Sequence, residues 1–211
     1  MAADWATISS IATAGATLVL AVATFSSVRS ARRAARATER ALLAGLRPVL
    51  VPSRLEDPAE KIGFGDNHWV RVPGGQAIAE VTDEVIYFAM SLRNVGNGLA
   101  VLDRWDLYPE RSTGEQAARP AEAFTRLTRD IYVPAGDIGF WQGALREPGD
   151  PLFAAAKESI IARRPMVVDL LYGDHEGGQR TISRFLLNPY GEEGWLGSVG
   201  RHWNLDRADP R

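Results

Sequence analysis

The sequence predicts a mainly β protein: an N-terminal transmembrane helix with a basic helical extension, followed by an antiparallel β-sandwich with one short helix. Three observations support this fold class. Residues 5–28 form a run of 24 residues without a charge. Beyond Pro48 the pattern changes to short β-rich runs separated by Gly, Pro and Asp. The length of 211 residues and the 45 % hydrophobic content allow one domain of about 150 residues plus an appendage.

The composition excludes several classes of chemistry. The chain has no cysteine, which rules out disulfide frameworks, thiolate zinc sites, Cys nucleophiles and iron–sulfur clusters. A net charge of −2 excludes a polybasic or strongly acidic disordered chain. We therefore expect residues 1–46 to form the membrane helix and basic neck, and residues 47–211 to form a domain stabilised by packing.

The first predicted element is the transmembrane helix. At the helical rise the uncharged run is about 36 Å long, which is enough to cross a bilayer. Eight of its 24 residues are Ser or Thr and six are Ala, so a buried soluble helix or an interfacial helix is the alternative. The helix must end before Pro48, which forces an extended backbone on Arg47.

The flanking charges predict an orientation. Asp4 precedes the apolar run and five arginines follow it, which is the reverse of a secretory signal peptide. By the positive-inside rule the N-terminus lies outside and the following domain is cytoplasmic, at the inner (plasma) membrane. The arginines are Arg29, Arg32, Arg33, Arg36 and Arg40.

At 100° per residue the helix separates into two faces. The bulky stripe consists of Ile8, Ile11, Leu18, Val22 and Phe25. The five arginines extend this stripe, and we expect them to bind anionic lipid headgroups. A nucleic-acid interface is the less economical alternative, since the arginines are not interleaved with aromatics and the rest of the chain is acidic.

The opposite face is a seam of mostly small residues. Its members are Ser9, Thr13, Thr17, Ala21, Thr24, Val28, Ala31, Ala35, Thr38 and Leu42. Small side chains let helices approach closely in lipid, so the seam predicts self-association into a homo-oligomer. A monomeric anchor is the alternative.

The first half of the domain contains four predicted strands, over residues 49–51, 68–72, 84–95 and 101–108. In the longest, the even-numbered residues Ile86 to Asn94 are expected to face the core. The following Asn94-Val95-Gly96-Asn97-Gly98 segment resembles part of a dinucleotide-binding loop, but residue 101 is Val and a strand follows to residue 108. We therefore predict a turn that reverses the strand or offsets it into a facing sheet.

The second half predicts a surface loop, two hairpins and a helix. Residues 109–122 are polar and rich in turn formers. Residues 128–133 and 138–145 predict a hairpin, and residues 165–173 and 179–188 predict the terminal hairpin. Between them, Asp150 and Pro151 supply the N-cap and first position of a helix that continues to Ile161. Seven or eight strands and one helix fit a sandwich.

The order of these features resembles a set of uncharacterised, mostly actinobacterial, single-pass membrane proteins. The resemblance rests on the N-terminal helix, the Arg47-Pro48 start, the strand that ends in Leu92-Arg93-Asn94-Val95-Gly96-Asn97-Gly98-Leu99-Ala100 and the late Tyr172-Gly173-Asp174-His175-Glu176-Gly177-Gly178 hairpin. It implies that the soluble part is an immunoglobulin-like β-sandwich, and it brings no activity.

The sequence contains little that predicts catalysis. Asp174, His175 and Glu176 are consecutive, but adjacent hairpin residues seldom converge on one metal ion, so a solvated turn is favoured. No nucleophile elbow, Walker loop or His-Glu-x-x-His motif is present. We expect no enzyme activity and no cofactor. A hydrolase with an acidic pocket near Asp174 and His175 is an alternative.

Two tryptophans lie in a glycine-rich tail over residues 191–205. If this tail folds back on the domain, Trp195 and Trp203 are buried, which is the favoured prediction. If it does not, they are exposed anchors for an unknown protein partner. The sequence thus predicts a membrane-tethered cytoplasmic interaction or scaffold module, with an anionic-lipid sensor as the second alternative.

Overall fold

The computed structural model describes residues 5–110 and 118–207. The side chains of Ile8, Ile11 and Arg40, and the middle of the predicted 109–122 loop, lie outside that description. The protein is mainly β. It divides into two compact units, Met1–Ala44 and Gly45–Arg211.

The first unit is formed by one long helix. Helix α1 runs without interruption over Trp5–Gly45, which is roughly 60 Å at 1.5 Å per residue. It ends at the predicted point, because Gly45 disfavours further helix and Pro48 forbids it. Within the described chain it is long and apolar enough to cross a membrane, by length and composition.

The second unit contains eleven strands in the residues that the structure describes. They are β1 Leu50–Pro52, β2 Glu60–Gly63, β3 Trp69–Val72, β4 Gln76–Val81, β5 Ile86–Asn94, β6 Ala100–Tyr108, β7 Thr125–Val133, β8 Ile138–Leu145, β9 Met166–Gly173, β10 Arg180–Tyr190 and β11 Gly194–Asn204. A 3₁₀ turn spans Ala121–Ala123, and helix α2 spans Pro151–Ile161.

Nine of these strands form one curled antiparallel sheet. Strand β5 pairs with β8 along one edge and with β4 and β1 along the other. From β4 the sheet continues through β11, β10, β9 and β6 to β7. The curl encloses the core, whose largest buried side chains include Trp141, Trp195, Tyr172, Phe88 and Phe185. Strands β2 and β3 pair separately as a hairpin.

Strand β5 is buried on both faces. The even-numbered face from Ile86 to Leu92 lies in the main core as predicted. The other face is also covered, because Tyr87 and Ala89 pack against Ile62 and Val70 of the β2–β3 hairpin.

Two predictions about connections need correction. Residues 128–133 and 138–145 do not form a hairpin, because β7 pairs with β6 whereas β8 pairs with β5. The β9–β10 hairpin is present but is not terminal, since β11 pairs along β10. Strands β2, β4 and β11 lay outside the predicted set. Helix α2 is confirmed, and the carboxylate of Asp150 accepts a hydrogen bond from the Leu152 N–H.

The Asn94–Gly98 segment is the predicted turn, and it offsets β5 into β6. The buried Asn94 amide donates to the carbonyls of Gly98 and Val133, and its oxygen accepts from the N–H groups of Val49 and Gly96. The chain that enters the domain lies directly against the glycines. A Cβ on Gly98 would lie 1.7 Å from the carbonyl oxygen of Leu46. The glycines are therefore required by close backbone approach.

Candidate functional site

The first candidate surface is the apolar part of α1. Leu18, Val22 and Phe25 of the bulky stripe, together with Val19 and Leu20 on other sides of the helix, are each between 62 % and 69 % exposed. Large apolar side chains exposed around a helix mark a surface that another phase or molecule covers.

The arginines of the basic neck continue along the same helix. The side chains of Arg29, Arg32, Arg33 and Arg36 are exposed, and none forms an ion pair with a described residue. Glu39 is the one acidic residue in the sequence of α1. The basic neck is therefore a strongly positive part of the helix that can bind phosphate-bearing surfaces.

The small-residue seam is exposed over its described members. The Thr13 hydroxyl donates to the Ser9 carbonyl and the Thr17 hydroxyl donates to the Thr13 carbonyl, both at 2.8 Å. These hydroxyl protons are satisfied within the helix, so they need no donor–acceptor partner on a second helix. Ala21, Thr24, Ala31 and Ala35 continue the exposed seam. Self-association along it stays a prediction.

The chain between the helix and β1 is fixed to the β domain. The Arg47 guanidinium donates to Thr181 at 3.2 Å and to Asn204 at 2.9 Å, and it pairs with Asp206. The Leu50 N–H donates to the buried Tyr172 hydroxyl. Residues 47–50 are therefore part of the domain and do not form a free linker.

The two tail tryptophans are folded into the domain. Trp195 is fully buried in the core, with the Arg163 guanidinium over its ring at 4.9 Å. Trp203 is partly buried between Arg184 and Arg201, 5.0 Å and 5.2 Å from its ring centre. The exposed-anchor alternative is wrong for Trp195, because β11 carries it into the sheet.

The predicted acidic turn borders an open cleft of about 500 Å³. Its polar lining is Asp103, Tyr132, Asp174, His175, Glu176 and Arg180. The Asp174 carboxylate is engaged in the turn, where it accepts from the Gly178 N–H at 2.8 Å. Over residues 5–110 and 118–207 no group of three His, Asp or Glu is arranged to hold a metal ion. The hydrolase alternative stays a prediction.

A buried charge row on β6, β9 and β10 lay outside the predicted sites. Asp106 and Asp169 are register partners, and Asp169 is fully buried. Arg184 binds both carboxylate oxygens of Asp169, at 2.8 Å and 2.7 Å. Burial raises the pKa of Asp106, and burial together with the two carboxylates raises the pKa of Tyr108 to about 12. The signal in the sequence is Asp169, the single acid in the otherwise apolar strand β9; β6 gives no such signal, because Asp103 and Arg104 accompany Asp106.

A second cluster fixes the β2–β3 hairpin to β5 and β8. The Tyr87 hydroxyl donates to Asp66 at 2.7 Å, and Arg146 pairs with the same oxygen at 2.6 Å. The Tyr87 hydrogen bond, followed by that of Arg146, lowers the pKa of Asp66 to about 2 despite partial burial. His68 stacks on Tyr87 with ring centres 4.0 Å apart and bonds Glu80 at 2.9 Å. The cluster joins the β2–β3 hairpin to its neighbouring strands, and two of its members, Arg146 and Glu80, also line clefts at the surface.

Comparison of the sequence with protein-family models finds no match, and comparison with curated proteins finds none either. The functional interpretation therefore depends on the surfaces described above.

Proposed function

We propose that the chain is a single-pass membrane tether that carries a cytoplasmic interaction module without catalytic chemistry. The observation that carries this proposal is the exposed apolar surface of α1. On membrane-insertion scales each Leu, Val or Phe favours insertion by about 0.3–0.6 kcal/mol, so Leu18, Val19, Leu20, Val22 and Phe25 together contribute on the order of 1.5–3 kcal/mol. A bilayer covers this surface along the whole uncharged run.

The charge distribution supports an N-terminus outside and a β domain in the cytoplasm. The arginines follow the apolar run, and Arg29, Arg32, Arg33 and Arg36 form no ion pair with a described residue, so they are available to anionic headgroups at the inner leaflet. The exposure of the same guanidinium groups favours an anionic-lipid sensor as a second candidate function.

The interaction role is supported by the charged clusters of the domain, whose members bind one another and so stabilise the fold. Asp169 and Arg184 bind each other, and Asp66 is held by Tyr87 and Arg146. These groups stabilise the fold, and none is presented as an acid or base at a cleft. We propose that the curled sheet is immunoglobulin-like, in line with the resemblance to actinobacterial single-pass proteins, and that the seam of α1 supports a homo-oligomer.

The membrane proposal is tested with reporters on the full chain. A reporter that is active only in the periplasm is fused at Met1, and one that is active only in the cytoplasm is fused at the C-terminus. We expect both to be active and the chain to resist carbonate extraction. A soluble chain, or a cytosolic N-terminus, contradicts the proposal.

The sensor and the seam have separate tests. Replacement of Arg29, Arg32, Arg33, Arg36 and Arg40 by Gln should abolish binding to anionic vesicles of a chain that lacks residues 5–28. Unchanged binding rejects the sensor. Thr17→Leu combined with Ala35→Leu should weaken cross-linked oligomers in membranes, and unchanged cross-linking rejects the seam.

A further inference from the structure

Strand β4 has an unpaired backbone edge that faces a groove. On this side β4 pairs with β11 only at Gln76 and Ala77, opposite Leu196 and Trp195. Residues 78–81 pair with β5 on the other side and with no described strand on this one. The groove beside them has a volume of about 660 Å³, and residues 78–82 line it consecutively. Because successive side chains point to opposite faces of a strand, consecutive lining residues indicate that the backbone edge of β4 borders the groove.

The hydrogen-bond pattern identifies which backbone groups face the groove. The Thr82 N–H donates to the Val85 carbonyl, opposite it in the β4–β5 ladder. Because bonded pairs alternate along an antiparallel ladder, residues 80 and 78 also bond β5, whereas Ala79 and Val81 point the other way. The Gly75 carbonyl accepts from the Gly197 N–H, which confirms that odd-numbered residues face the β11 side. Ala79 and Val81 thus present their N–H and C=O groups to the groove.

The walls of the groove are preorganised. Ile160 and Arg163, at the end of α2, form one wall, and the turn at residues 192–194 forms another. Arg163 donates to the carbonyls of Gly191 and Gly194, both at 3.0 Å, and so fixes this turn. A strand edge beside a helix end is a geometry to which an extended peptide can add as a further strand.

The charged side chains that line the groove indicate the charge of the peptide that would bind there. Glu192 and Glu193 are exposed and form no ion pair with a described residue, and Glu80 also lines the groove. Arg71 and Arg163 are the two guanidinium groups of the lining, so three carboxylates face two positive charges and the groove is net negative. We propose that this edge binds an extended, basic segment of a partner protein by β-strand addition. The proposal names the partner class of the interaction module and rests on that proposed function.

The test uses the full chain in nanodiscs of zwitterionic phosphatidylcholine, so that basic peptides are not retained by lipid. The probe is a fluorescent eight-residue peptide of alternating Val and Arg, and the control replaces Arg by Glu. A third peptide carries N-methyl groups on alternate residues, which removes the donors of one edge. We expect saturable binding of the basic peptide, at least about tenfold tighter than the acidic one. N-methylation should weaken binding roughly tenfold.

Protein variants locate the site. Glu192→Gln with Glu193→Gln should weaken binding about three- to tenfold, since each exposed ion pair is worth little. The matched pair Glu56→Gln with Glu122→Gln, at exposed acids elsewhere in the domain, should leave binding unchanged. Thermal unfolding checks that both double variants are folded.

Four outcomes overturn the proposal: no saturable binding of the basic peptide, equal binding of the N-methylated peptide, no effect of the Glu192 and Glu193 changes, or cross-links showing that β4 of a second copy fills the groove. None of these four outcomes bears on membrane attachment or orientation, because carbonate extraction and the two reporters measure those properties separately. Failure of the partner class and failure of the tether are thus separate results.

Discussion

One arginine in the middle of the apolar run should detach the protein from the membrane. Leu20 is 66 % exposed and lies within the uncharged run of residues 5–28. On membrane-insertion scales a central Leu favours insertion by about 0.3–0.6 kcal/mol, whereas Arg opposes it by about 2.5–3.5 kcal/mol. Leu20→Arg therefore changes the insertion free energy by about 3–4 kcal/mol. The bulky apolar residues between positions 13 and 28 together contribute only about 2–4 kcal/mol, so a single change cancels them.

The assay is carbonate extraction of membranes, followed by quantitative immunoblotting of pellet and supernatant. The matched control is Leu42→Arg, which makes the same substitution at a residue of α1 that is 63 % exposed but follows the arginines. We expect wild type and Leu42→Arg in the pellet and Leu20→Arg in the supernatant. Retention of Leu20→Arg in the pellet, or release of Leu42→Arg, would refute the assignment of residues 5–28 as the spanning segment.

Two further predictions concern the β domain. Gly98→Ala should destabilise the domain by about 3 kcal/mol or more, since its Cβ would overlap the Leu46 carbonyl. The control is Gly149→Ala, whose Cβ would meet no atom within 4 Å and should change stability little. Urea unfolding monitored by near-UV circular dichroism measures the difference between the two variants. Tyr87→Phe should raise the pKa of Asp66 from about 2 toward its usual value, measured by NMR titration. A lowered pKa of Asp66 in the folded state stabilises the fold at pH values above the unfolded pKa near 4. The wild type should therefore lose this stability between about pH 4 and pH 2, and Tyr87→Phe should lose less of it. If the pKa of Asp66 in Tyr87→Phe stays near that of the wild type, the hydrogen bond does not have this role.

The elements with strong local signals were predictable from the sequence. Helix α2 has its N-cap at Asp150 and Pro at its first position, and its bounds agree with the prediction. Strand β8 likewise spans the predicted residues. The Asn94–Gly98 turn was predicted from residues that tolerate unusual backbone geometry, although local chemistry could not choose between reversal and offset.

The long-range pairings could not be predicted, because they depend on partners that lie far away in sequence. The turn at residues 134–137 looks like a hairpin loop, yet Asn94 bonds the carbonyl of Val133 and the backbone of this turn, which directs β7 and β8 to different neighbours. Strand β11 is glycine-rich and has weak strand propensity, but pairing along β10 forms it.

The unpaired edge of β4 could not be predicted from the sequence either, because it too depends on a strand that is distant in sequence. Residues 76–81 contain two alanines and two charged or amide side chains, which give little alternation. Their availability depends on where β11 stops pairing, and this is set by the turn that Arg163 holds. A binding edge defined by the absence of a neighbour has no signature in its own residues.

The contact of Arg47 with Asn204 and Asp206 brings the two ends of the described β domain side by side. A domain whose entry and exit are neighbours can be spliced into a loop of a host protein, or circularly permuted, with a short connector. Opening such a permuted chain at the exposed Gly177 turn interrupts no strand pairing of the curled sheet, so we expect the β domain to fold when it is detached from α1.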